Sequence, residues 1–168
     1  MSPELRTLLL PHFTHGKRPV SSAVYGTVSV VALVAAASHE SSSAGRVLAA
    51  ASVSMLVIWA VHVYASALEH TGPKNLAWRR AVAVAVRDEL GIIQGASAPL
   101  TVLLLGAVGV LSDERAIEWS MWCGVAQLTL MPFVWLRRSG SSLWESLAAS
   151  AAAGLLGLVL IVFNVLVH

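Results

Sequence analysis

The chain has 168 residues, 57% of them hydrophobic and only 12% charged, and a mean hydropathy of +0.74, whereas an ordinary soluble domain is about 45–50% apolar and about 25% charged. That composition excludes an ordinary soluble domain, and a net charge of +2 without a basic tract excludes nucleic acid as a partner. The single cysteine, Cys123, can form neither an intrachain disulfide nor a cysteine-based zinc site and reads as a small apolar residue in a helix.

Val20 to Ser38 is apolar and uncharged, closed by His39, Glu40 and the serines at 41 to 43. Its length, near the roughly 20 residues that cross a bilayer as helix, marks a first span. Lys17 and Arg18 ahead of it and Ala35 to Ala37 near its end also resemble a signal peptide with a small-residue cleavage site. The 19 residues before the apolar run are long for such a leader, and alanine is abundant throughout, so a retained span is expected.

Val47 to Leu68 is the second span, interrupted by His62 and stopped by Glu69, His70, Thr71, Gly72 and Pro73. Within the next segment, Ala81 to Val86 alternates alanine and valine, which suits a strand on paper. A lone strand at a membrane leaves its backbone groups unpaired, so an interfacial amphipathic helix over 75–89, or an extension of the third span, is the better expectation. The third span runs over 90–111, the polar turn Asp113, Glu114, Arg115 follows, and the fourth, 116–136, ends at Arg137, Arg138, Ser139 and Gly140. The fifth is 143–167. Ser2 to Arg18, with Leu5, Leu8, Leu9, Leu10 and Phe13 beside Arg6, His12 and His15, suits a short surface helix interrupted by Pro11.

The expected fold is therefore all-α: a polytopic membrane protein forming one integral membrane domain over 1–168, a bundle of five transmembrane helices with an amphipathic segment between the second and third. Lys and Arg stay on the cytoplasmic side. With the N-terminus inside, that side holds Arg6, Lys17, Arg18, Lys74, Arg79, Arg80, Arg87, Arg137 and Arg138, and the outside holds only Arg46 and Arg115, which accounts for all 11. Trp78, Trp119, Trp135 and Trp144 fall at span ends, where indole rings anchor in the headgroup layer.

Small residues four apart let helix backbones approach closely in lipid. Ser146, Ser150 and Gly154 share one face of the fifth span, Ala149, Ala153 and Gly157 the adjacent one, and Gly91 and Gly95 repeat the pattern in the third. The partner of these faces can be another helix of the chain or a second copy, and a homo-oligomer or larger membrane complex is expected. Pro99 and Pro132 predict kinks, because each lacks the N–H that would bond the carbonyl of Gly95 or Leu128. Gln127 and Asn164 read as interhelical packing groups.

Ionisable residues inside a bilayer are costly and face a bundle interior or a watery cavity. His62 is the one placed well within a span, and steps of three and four put Trp59, His62, Ser66 and Glu69 on one helix face. The third span offers Arg87, Gly91, Gln94, Ala98 and Thr101 on the same logic, flanked by Asp88 and Glu89. If the two faces meet, His62, Glu69, Arg87, Glu89 and Gln94 form a proton or cation site, since histidine changes charge near neutral pH and carboxylates lead to water. The plain alternative is a hydrogen-bonded structural His62 with the boundary carboxylates solvated or paired to arginines.

His62 and His70 are about 12 Å apart along one helix and cannot share a metal. A metal centre from His62, Glu69 and Glu89 is the weaker option, and no cofactor is expected. The signatures of small multidrug exporters, rhomboid and site-2 proteases and cytochrome b are missing, as are nucleophile and phosphate-loop motifs. Two functions follow: a small proton- or cation-linked transporter or channel, or an accessory subunit docking through the small-residue face of the fifth span. A metal-dependent membrane enzyme comes third.

Overall fold

Apolar runs of helix-forming length, punctuated by polar turns, leave the backbone one way to satisfy its own hydrogen bonds, and every regular element among the described residues is a helix. The computed structural model describes residues 18–71 and 77–166. The expected surface helix before Arg18, Lys74 and the side chain of Asn164 lie outside the described residues. The elements are α1 (Arg18–Glu40), α2 (Ala44–Thr71), α3 (Trp78–Asp88), α4 (Leu90–Ala107), α5 (Asp113–Arg138) and α6 (Leu143–Leu166). Three helical stretches, Ser21–Glu40, Ala44–Thr71 and Trp78–Ala107 with α3 and α4 taken together, are long and apolar enough to cross a membrane, and α6 contains a shorter apolar stretch, Leu143–Val159.

The core lies where α1, α2, α4 and α5 meet. Val30, Val31 and Val34 of α1 pack with Val47, Ala51 and Met55 of α2, Ile92, Ala96 and Leu103 of α4 and Ile117 of α5. α1 is thus a central stave of the bundle. Its most extensive partner is α4, and two glycines bring their backbones together. A Cβ on Gly26 would collide with the Ile92 carbonyl, and one on Gly95 with the Ala23 carbonyl.

The alternating Ala81–Val86 segment is helical, as backbone satisfaction requires. Ala81 and Ala85, four apart, are buried, and Ala85 packs with Val63 and Ala67 of α2. The chain passes from α3 to α4 through Glu89, whose φ of −96° and ψ of 3° break the helix.

The third long helix ends at Ala107, four residues short of the expected 111. The reason is Gly109, which takes φ +80°. Its N–H bonds the Gly106 carbonyl and the Val110 N–H bonds that of Leu105, the paired bonds of a Schellman cap. Gly140, also at φ +80°, closes α5 in the same way through Gly140 N–H to Arg137 O and Ser141 N–H to Leu136 O. Nothing lies within 4 Å of a Cβ built on Gly109, so any cost of substitution there is conformational. Gly109→Ala is expected to destabilise by about 1 kcal/mol, and Gly45→Ala, whose Cβ would meet Ala107 Cβ at an ordinary 3.8 Å, by less than about 0.5 kcal/mol. Thermal unfolding of the two purified variants in one detergent checks the ranking.

Candidate functional site

At the end of the bundle where α1 and α4 begin and α2 finishes, a groove of about 550 Å³ opens between the three helices. α2 contributes His62, Ser66 and Glu69, set on one face by helical spacing, α1 contributes Ser21, Ser22 and Tyr25, and Glu89 enters from the α3–α4 junction above Ile92. The break at Glu89 positions its side chain: the residue stands between two helices, and its Oε2 accepts a hydrogen bond of 3.2 Å from the Ser22 hydroxyl. His62 lies against Tyr25 with ring centroids 4.8 Å apart and planes tilted by 43°. Its Nδ1 is 2.9 Å from the Ile58 carbonyl. A carbonyl only accepts, so Nδ1 carries the proton and Nε2 is the nitrogen left to exchange one.

Ser66 is 5% exposed, and its Oγ has no hydrogen-bond partner. A buried hydroxyl in that state is disfavoured unless something else satisfies it.

Of the five residues expected to converge, His62, Glu69 and Glu89 share this groove, and Arg87 and Gln94 do not. Arg87 is exposed on α3. Gln94 lines a second, apolar groove of about 580 Å³ on the other flank of α4, with Cys123, Gln127, Met131, Trp135 and Arg138. The expected face carried a helical phase from Arg87 across Glu89 into α4, and the break at Glu89 resets it. Tyr64 points elsewhere, as expected: it is exposed, with its ring centroid 6.3 Å from that of Trp78.

Two polar contacts escaped the sequence reading. His70, read as a boundary group, is 4% exposed; its Nδ1–H donates to the Ser66 carbonyl at 2.7 Å, and its Nε2 stands 3.6 Å from Asp88 Oδ2. It clasps the end of α2 to the end of α3, and its spacing after Val63 and Ala67 on the buried α2 face was the available signal. The second is Thr27, fully buried on α1. Its hydroxyl lies 3.0 Å from two carbonyls, that of Ala23 one turn back in α1 and that of Gly95 across in α4, so its one proton is shared between them, and Gln127 Nε2 donates to the Gly95 oxygen at 3.1 Å. This is the carbonyl that Pro99 deprives of its helical donor. The helix therefore closes the gap with side chains from α1 and α5.

The small-residue faces are spoken for inside the chain. Gly91 and Gly95 are buried in α4. Ser146 and Ser150 are buried too, and on α6 a Cβ at Gly154 would stand 2.8 Å from Thr129 Oγ1 and one at Gly157 3.2 Å from Val125 Cγ2. Gly154 and Gly157 thus face α5, another helix of the chain, one of the two kinds of partner that the spacing left open. Among the described residues no group of three or more His, Cys, Asp or Glu side chains is placed to hold a metal ion, so His62, Glu69 and Glu89 line the groove without forming a metal centre. No protein-family model, curated protein or solved structure matches the chain.

Proposed function

We propose that the chain is a small integral membrane protein that passes a proton or a monovalent cation through the groove beside His62. The observation that carries this is the convergence of His62 and Glu69 from α2 and Glu89 from the α3–α4 junction on one groove. The membrane setting is supported by the apolar outer surface. On α2 alone Val53, Leu56, Val57 and Val61 are all more than half exposed, a surface that water disfavours and lipid accepts. In this reading α1, α2, α4, α5 and α6 are five spans, and α3 lies at the interface with Arg79 and Arg80 outward.

The ends sort by charge. Ser22 meets Glu89 at one end, where Arg79, Arg80, Arg87, Arg137 and Arg138 also gather. Asp113 Oδ1 accepts from the Ala44 N–H at the other, near Arg46 and Arg115. The arginine-rich end faces the cytoplasm by the positive-inside rule, with the N-terminus inside and the C-terminus outside. Exposed Trp78, Trp119, Trp135 and Trp144 sit toward the two ends as anchors. Five short helices enclose little interior, and a homo-oligomer fits the apolar surface left on α6.

Proteoliposomes loaded with a pH-sensitive dye test the reading. An imposed cation or pH gradient should drive a proton flux that His62→Ala abolishes, and an unaltered rate in that variant overturns it.

A further inference from the structure

We propose that the apolar groove on the other flank of α4 seats an acyl chain of an anionic phospholipid, with the charged head group held at Arg138. The inference rests on the reading of the chain as a membrane protein whose arginine-rich end faces the cytoplasm, where the leaflet carries anionic lipid. It takes nothing from the groove beside His62. The second groove, of about 580 Å³, lies between α1, α4 and α5. Cys123, Gln127, Leu130, Val134 and Arg138 line it at steps of three and four, so they mark one face of α5. That face runs for about 22 Å at the helical rise, more than the depth of one leaflet at about 15 Å. Ala23 and Ala98 across from it leave the space that a hydrocarbon chain fills.

Charge decides which lipid. Arg137 Nη1 donates to the Ser141 carbonyl at 3.3 Å and so closes its own helix end, whereas Arg138 lines the groove. Among the described residues no carboxylate lines the groove or pairs with Arg138, and a phosphodiester supplies the missing counter-charge to its planar fork. Helical side chains lean toward their own N-terminus. The short turn after α4 makes α4 and α5 antiparallel neighbours, so exposed Gln94 and exposed Arg138 lean toward each other along the groove. Gln127 is committed to the Gly95 carbonyl, which leaves the Gln94 amide to donate to an ester carbonyl of the lipid. Trp135, exposed one turn from Arg138, suits the head-group layer. A second copy of the chain fits less well: a two-fold contact there pairs the groove with itself, concave against concave, and brings Arg138 toward its own mate.

The test is native mass spectrometry of the purified full chain in micelles holding equal amounts of dioleoyl phosphatidylglycerol and dioleoyl phosphatidylcholine, which share their chains and differ in head-group charge. Retention of phosphatidylglycerol is expected to exceed that of phosphatidylcholine about fivefold, the worth of one arginine at an anionic surface. Arg138→Gln should bring the ratio close to one, while Arg137→Gln, outside the groove, should change it less than about twofold. Ala126 is an exposed groove residue, so Ala126→Phe adds bulk to the groove rather than to the core. It should lower retention of both lipids about fivefold or more with thermal unfolding unchanged.

Equal retention of the two lipids by the wild type, or a preference that survives Arg138→Gln, overturns the proposal. Full retention in Ala126→Phe overturns the groove as the seat, and a lipid-free dimer that Ala126→Phe dissociates assigns the groove to a second copy instead. Resistance of the chain to carbonate extraction from membranes reads the membrane setting alone, and His62-dependent flux reads the proton path alone. Loss of the lipid preference with both of these intact removes only the lipid site.

Discussion

Gly95→Ala is expected to destabilise the protein by about 3 kcal/mol, at the upper end for overpacking a buried contact. The added methyl would land on the Ala23 carbonyl and within 2.9 Å of the Thr27 backbone nitrogen. Both are backbone atoms, so no rotamer change relieves the clash and α1 must move bodily away from α4. That movement also lengthens the Thr27 hydroxyl contact to Gly95, 3.0 Å in the wild type, and loosens the core residues Val30, Val31, Ile92 and Ala96 that meet across the same crossing. Equilibrium unfolding in mixed detergent micelles measures the loss, with Gly45→Ala as a near-neutral reference. A Gly95→Ala change within about 0.5 kcal/mol of wild type, the range of inert surface substitutions, would show that α1 and α4 do not cross at this distance.

The elements were legible because each apolar run is ended by charged, serine or glycine residues. α1, α2, α5 and α6 lie within three residues of their expected bounds at every end. Where the reading failed, hydropathy and backbone geometry pulled apart. Val108, Val110 and Leu111 are as apolar as a span, and only the left-handed Gly109 among them ends α4 at Ala107. The site was half legible for a related reason. His62, Ser66 and Glu69 belong to one uninterrupted helix, so steps of three and four place them together, and the structure does so. Arg87 and Gln94 stand on opposite sides of the break at Glu89, and no periodicity survives such a break.

Tertiary partners were the least legible feature. Proline at 99 announces a bare carbonyl on Gly95, and Gln127 reads as an interhelical group, but which carbonyl it serves depends on the packing, and nothing local to Thr27 marks it at all. The small-residue faces pose the same problem. Spacing identifies Ser150, Gly154 and Gly157 as a contact surface, while only the packed chain shows that Thr129, Val125 and Leu128 of α5 fill it.

The second large effect is expected from removing both donors to the Gly95 carbonyl. Thr27→Val is nearly isosteric, and Gln127 Nε2, 3.1 Å away, still serves the oxygen, so this change alone should cost about 1 kcal/mol. Gln127→Leu leaves the Thr27 hydroxyl in place and also deletes an amide oxygen that is itself buried and unpartnered. It should cost about 0.5 kcal/mol, in keeping with the weak average of side-chain bonds between membrane helices.

Together they strand the carbonyl where neither helix nor water reaches it, and the double variant should lose about 3 kcal/mol, about 1.5 kcal/mol beyond the sum. Pro99→Ala then restores the backbone N–H that α4 lacks at position 99. In the double-variant background it is expected to recover about 1–2 kcal/mol, whereas in the wild type, whose carbonyl is already served, it should change stability by less than about 1 kcal/mol. Unfolding midpoints of the wild type, the two single variants, the double variant and their Pro99→Ala counterparts complete the cycle. Additive losses with no rescue by Pro99→Ala would mean that Thr27 and Gln127 do not serve one shared carbonyl. Non-additive losses with rescue would tie α1, α4 and α5 together through the oxygen that proline leaves unpaired.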